Sequence, residues 1–402
     1  MLTDALWVLI IRCIAAAMGF AITALITSTY VQSVVGDYFF LISIVAVFSA
    51  ISSLGLNNVV LRKCAVSDSQ VATVNTSMAL VLVAYLIVGP VFYVALIAKG
   101  FGSLFFLVQA PLVIASIGLI SHGLQGVGRI KTAVFFGSVL HQFLFYVILK
   151  LLSDLTLAGL VLAYSATYFA TLVCVGGVWV VGSKVVLGFD WELKSYLGPA
   201  SALILFQVFQ EFNVAIGQIA LGLFDYQDDL AVYAVCIKIS TLISFCGFAL
   251  NRVYAPKFAK LYSDGDIPGL AAIIYSARNT ALLLGLPLVI LGSLFSGTVL
   301  HFFGEVYAEY SWFLICLLFM QLVALLNGNL AYLMIMTGGE GKYKNHIVAA
   351  SVLAFAVVCL FIHFKPLLGA LAGYFIVQVY PLAYCILRIR KEHGIRYWRV
   401  GM

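Results

Sequence analysis

Twelve apolar runs, each near the 20 residues needed to cross a hydrocarbon core of roughly 30 Å, follow one another along this chain. They fall near residues 6–28, 38–58, 73–98, 102–121, 132–151 and 156–182, then near 196–221, 230–250, 269–295, 311–335, 347–364 and 367–387. Only Lys365-Pro366 parts the last two. Of 402 residues, 64% are apolar and 9% charged, whereas a soluble domain carries roughly 25% charged residues. No soluble core hides that much apolar surface. The expected fold is therefore an all-α membrane protein of about 12 transmembrane helices. Its connections are too short for an appended ATPase or a large catalytic loop. The first run, preceded by Met-Leu-Thr-Asp and no basic stretch, reads as a retained span and not a removable signal.

The cations orient the chain. Of 22 Lys and Arg, sixteen fall in the loops after even-numbered runs and in the tail, three (Lys99, Lys150, Lys365) on the opposite side, and three within runs. That asymmetry places the basic loops, and with them both termini, in the cytoplasm of a bacterium, the protein lying in its inner membrane. Tyr30, Tyr38, Trp191, Tyr196, Tyr307 and Trp312 stand near run ends, where aromatic rings anchor at the lipid–water interface or occur by chance.

The two halves resemble each other. Tyr38 precedes Arg62-Lys63 much as Tyr233 precedes Arg252 and Lys257. Gly89-Pro90 interrupts the third run and Leu286-Pro287 the ninth. Gly128-Arg129-Ile130-Lys131 follows the fourth, and Gly341-Lys342-Tyr343-Lys344 the tenth. These matches predict two pseudo-symmetric six-helix lobes, 1–190 and 191–402, around a central cavity, although basic loops recur in any protein obeying the positive-inside rule.

Ionisable groups at membrane depth cost roughly 2.5–3.5 kcal/mol each, so Arg12, Glu211, Lys238 and Arg278 need a reason to be there. Arg12 and Arg278 lie close enough to run ends to snorkel. Glu211 and Lys238 either pair with each other or line a wet cavity. Gln207, Glu211 and Gln218, at i, i+4 and i+11, share one helical face, and Gln210 and Asn213 add to the polarity. Such a face meets protein or water, never lipid. Gln321, Asn327 and Asn329 give the tenth run a weaker version. Three embedded cations against one acid, with no embedded carboxylate expected in the first half, favour an anionic cargo over a cationic drug. The eight cysteines lack C-x-x-C spacing and the six histidines are scattered, so neither a metal nor a catalytic cluster is expected. Nothing in the chain suggests nucleic acid as a partner.

Several segments resemble a known family. Val-Gly-Asp-Tyr at 35–38, Ser-Ser-Leu-Gly-Leu-Asn-Asn-Val-Val-Leu-Arg at 52–62 and Gly-Val-Gly-Arg-Ile-Lys at 126–131 are similar to Wzx-type O-antigen flippases. Those proteins form part of the polysaccharide-transporter branch of the multidrug/oligosaccharidyl-lipid/polysaccharide exporter superfamily. The resemblance implies a cofactor-free transporter, not an enzyme. It would carry an undecaprenyl-diphosphate-linked oligosaccharide repeat unit from the cytoplasmic to the periplasmic leaflet for lipopolysaccharide assembly. Membrane lipids, a polysaccharide polymerase and a chain-length regulator would be its partners. Arg12, Lys238 and Arg278 would attract the diphosphate, Gln207 and Asn213 would bind sugar hydroxyls, and Glu211 would couple to protons. A cation-coupled small-molecule exporter of the same superfamily and a membrane-embedded polysaccharide polymerase are the alternatives.

Overall fold

The computed structural model describes residues 2–66, 69–152, 155–182, 188–190 and 192–398. Among them every regular element is a helix, as expected of a backbone that must satisfy its own hydrogen bonds in lipid. Twelve helices are long and apolar enough to cross a membrane. The chain forms two compact units, Met1–Ala215 and Ile216–Met402.

In the first unit the order is α1 (Leu2–Thr29), α2 (Gln32–Ser52), α3 (Leu56–Val66) and α4 (Gln70–Ala98). A 3-10 turn at Gly102–Gln109 then leads into α5 (Ala110–Gly126), followed by α6 (Ile130–Ser138), α7 (Leu140–Leu151), α8 (Leu157–Gly182) and α9 (Lys194–Leu223), whose later part belongs to the second unit. Helix α5 lies at the centre of this unit, touching α2, α3, α4, α6 and α8. Outward, α4 presents Leu82, Val83, Leu86, Ile87, Val91 and Val94, exposed apolar side chains that only lipid covers at low cost.

The second unit runs α10 (Gln227–Ser240), a 3-10 turn Thr241–Ile243, α11 (Ser244–Ser263), α12 (Ile267–Leu294), α13 (Ser296–His301) and α14 (Glu305–Ala308). It ends with α15 (Ser311–Met336), α16 (Glu340–Phe361) and α17 (Pro366–His393). Helix α15 holds the central place, against α10, α11, α12, α16 and α17.

All twelve predicted runs find a helix, and the weakly separated last pair is α16 and α17. The second run needs correction. Its helix starts at Gln32, not Tyr38, and ends at Ser52, where Leu54 (φ 51°) and Gly55 (φ 71°) turn the chain into α3. Arg62 and Lys63 thus ride on a separate short helix. Three of the aromatic residues assigned to the interface are core: Tyr38, Tyr196 and Tyr307 are buried, and Tyr38 stacks on Phe145 and meets Tyr164 edge-on. Trp312 remains exposed. Trp191 lies outside the described residues.

Parallel details recur in both units. Pro90 lies inside α4 and Pro287 inside α12. The second span of each unit breaks and continues as a helix carrying an asparagine opposite a glycine. A Cβ on Gly118 of α5 would stand 3.4 Å from Asn57 Oδ1, and one on Gly328 of α15 would stand 4.0 Å from Asn251 Nδ2. Tyr233 follows Tyr38 by 195 residues and Asn251 follows Asn57 by 194, offsets that agree to within one residue.

Candidate functional site

The sequence-predicted residues divide between the units. Arg12 is half-buried on α1. Gln207, Glu211 and Asn213 share the first-unit part of α9; Gln207 and Glu211 are half-buried, and Asn213 is buried with its Oδ1 lacking a hydrogen-bond partner. No described side chain of its own unit pairs with Glu211. Gln218 follows on the second-unit part of the same helix.

Lys238 stands near the middle of the span Gln227–Gly247, in the last turn of α10. Its backbone carbonyl accepts from Thr241 Oγ1 at 2.9 Å at the start of the 3-10 step. Its ammonium is half-buried and finds no acidic partner among the described residues of its unit. An uncompensated charge at that depth survives only where water reaches it. Polar groups with unmet capacity surround the interior of this unit. Asn251, Asn327 and Asn329 each bury an Oδ1 without a partner, although Asn329 Nδ2 reaches the Ala277 carbonyl at 3.5 Å. Gln321 donates to the Tyr374 hydroxyl at 2.8 Å.

Arg278 is placed differently from the sequence-based expectation. It is 7% exposed, and its guanidinium donates to the Tyr397 backbone carbonyl and to Asn279 Oδ1, at 3.1 Å from Nε and 2.8 Å from Nη2. The rings of Tyr275 and Tyr397 flank it at 5.5 and 5.8 Å. In this structure it holds the C-terminal tail.

A further correction concerns acids. Because α2 begins at Gln32, Asp37 stands inside a span, about 8 Å past its start at helical rise. The first unit therefore does carry an acidic side chain within a span besides Glu211.

One polar cluster was not anticipated at all. Asp190 lies in the segment leading to α9, and its Oδ2 accepts from the Tyr196 hydroxyl at 2.8 Å and from Lys63 Nζ at 3.2 Å. Lys63 also donates to Ser195 Oγ at 2.6 Å and sits 3.5 Å from the Tyr196 ring centroid. The Asp190 backbone exchanges hydrogen bonds with Thr76, and Asn75 donates to the Gly188 carbonyl at 3.3 Å. Together they clasp residues 188–190 and 192–196 to α3 and α4. The Glu192 N–H, the Tyr196 phenol and Lys63 hold the Asp190 carboxyl below the usual carboxylate range. Burial, helped by Asp190, pushes the Tyr196 phenol up to about 12. A carboxyl whose folded pKa is depressed adds stability above its unfolded value of about 3.9 and loses it as pH falls through the lower folded value. Asp190→Asn should therefore raise amide hydrogen exchange across 188–196 at neutral pH, and acidification below about pH 4 should do the same to the unmodified protein. Equal exchange in both proteins would mean the clasp is ornamental, as half-exposed ion pairs often are.

No protein-family model and no curated protein matches the chain. Solved structures do. An inward-facing multidrug resistance transporter of the MATE family, in the MOP superfamily, superposes with a TM-score of 0.75 over 94% of each chain at 15% identity. The chain has the MATE fold. An outward-facing transporter of that family gives 0.61 at 14% identity, covering 96% of this chain and 94% of the other. A MATE crystallised with the compound MaD3S gives 0.66 at 14% identity, covering 97% and 94%. MATE-fold architecture accounts for the twelve spans and makes this a multi-pass membrane protein. At such low identity it leaves the cargo to be argued from the side chains.

Proposed function

We propose that this protein is a transporter of the MOP superfamily that flips an undecaprenyl-diphosphate-linked oligosaccharide across the bacterial inner membrane toward lipopolysaccharide assembly. The observation that carries the reading is Lys238, a mid-span ammonium without an acidic partner in its unit, in a protein with a transporter fold. A multi-sugar head cannot cross lipid alone, because each unpaired hydroxyl costs several kcal/mol there. In the second unit Lys238 offers charge-assisted hydrogen bonds to a diphosphate; in the first unit, taken by itself, Arg12 offers the same chemistry, and Gln207 and Asn213 both donate to and accept from sugar hydroxyls. Arg278 joins them only if the tail releases it. Export of about two negative charges from a negative interior gains roughly 2.3 kcal/mol per charge per 100 mV. Glu211, lacking a partner in its unit, is the candidate for proton exchange. A polymerase and a chain-length regulator would receive the cargo on the far side.

A second reading is a cation-coupled drug exporter, favoured by the MATE fold and by Asp37 and Glu211 inside spans. Proteoliposomes distinguish the two. With a fluorescent undecaprenyl-diphosphate oligosaccharide in the inner leaflet, the flippase exposes the label to an impermeant quencher and leaves trapped cationic dyes in place. Dye efflux driven by a sodium or proton gradient, with no lipid movement, would replace the flippase with the exporter.

A further inference from the structure

The C-terminal tail builds a cationic cavity that the transport reading leaves unused. Helix α17 ends in Arg390, Lys391 and His393, and Gly394 (φ 69°) turns the chain back along the unit. Ile395 and Tyr397 are buried, and Arg278 fixes the turn through the Tyr397 carbonyl. Beside this anchor lies a cavity of about 860 Å³ lined by Tyr275, Ile386, Arg390, Arg396, Tyr397 and Trp398. Among the described residues that line it, the charged side chains are two arginines and none is a carboxylate. The Tyr397 hydroxyl is enclosed yet has no hydrogen-bond partner.

We propose that this cavity binds the phosphodiester headgroup of an anionic phospholipid. Arginine's planar fork matches phosphate oxygens, and two such side chains share this cavity. The depth is right. Helix α12 has 28 residues, about 42 Å at helical rise, against a hydrocarbon core of roughly 30 Å, so its ends reach the headgroup layer. Helix α17 is also 28 residues long, and Arg390 stands in its last turn. Trp398, 57% exposed beside the arginines, offers an apolar face to glycerol and acyl carbons that inorganic phosphate would not need.

Native mass spectrometry after delipidation tests this with protein purified from mixed phosphatidylcholine–phosphatidylglycerol nanodiscs. Wild type retains phosphatidylglycerol, and Arg390→Gln with Arg396→Gln lowers retention about tenfold or more. Tyr397→Phe, which keeps both charges and the ring packing and removes only an enclosed hydroxyl, leaves it unchanged. Size-exclusion profiles matching wild type certify that the variants are folded. Equal retention by the double variant overturns the site. Displacement of the lipid from wild type by inorganic phosphate overturns the lipid as occupant and assigns the arginines to a soluble phosphate.

Discussion

Replacing Lys238 with methionine is expected to abolish oligosaccharide flipping while leaving the amount of folded protein in the membrane unchanged. Methionine keeps most of the stem's apolar contact and removes only the charge. A mid-span ammonium costs roughly 2.5–3.5 kcal/mol to insert, so its loss relieves the fold. No acidic partner within the unit is orphaned by the change, which separates this site from a structural ion pair, where removing one member costs about 3–5 kcal/mol. Losing a hydrogen bond to a charged cargo group weakens capture by about tenfold or more. Lys238→Arg should restore part of the rate. Full flipping by the methionine variant would exclude Lys238 from the cargo path, and a variant that fails to accumulate would show that the ammonium serves the fold.

Gly55→Ala carries the largest expected effect on stability. Gly55 sits at φ 71°, where an L-residue pays roughly 1–2 kcal/mol. A Cβ there would also stand 2.8 Å from the Ile204 backbone nitrogen and 3.0 Å from the Ala200 carbonyl oxygen. Both are backbone atoms of α9, so no rotamer change relieves the contact. Overpacking of this kind adds roughly 1–3 kcal/mol, for about 2–5 kcal/mol together. Thermal unfolding in detergent, followed by tryptophan fluorescence, should show a clearly lower midpoint than wild type. An unchanged midpoint would mean that α9 does not press on this turn in the folded protein.

The architecture was legible because lipid imposes a simple rule. A run of about twenty apolar residues must be helical, and charges gather where the chain leaves the membrane. The repeat was legible for a related reason: Pro90 and Pro287 interrupt long helices, and interruptions are visible in sequence. The break after α2 was not, since the Ser52-Ser53-Leu54-Gly55 step is short and apolar residues resume at Leu56, Val59 and Val60. Placing the second span too late then moved Asp37 out of the membrane and Tyr38 to its surface. Lys238 stood out as a lone charge among apolar neighbours, and Glu211 as the one charge on an unusually polar span. The partner of Arg278 did not, because it is a backbone carbonyl at Tyr397, and a carbonyl has no signature in a sequence. Asp190 and Lys63 looked like two more loop charges; only folding joins residues 127 positions apart. Comparing the halves at the offset of Tyr38 and Tyr233 brings Asn57 within one residue of Asn251, but the glycines opposite them, Gly118 and Gly328, stand 210 residues apart and only the fold relates them.

The clasp around Asp190 has a consequence for biogenesis. When the sixth span leaves the ribosome, Lys63, Asn75 and Thr76 have already been made, but the chain that completes them has not. Lys63 waits 127 residues for its carboxylate, which at about 5–20 residues per second is roughly 6–25 s of exposure to the insertion machinery and its chaperones. A nascent chain arrested just after α8 would hold six inserted helices with the anchoring lysine still unclaimed.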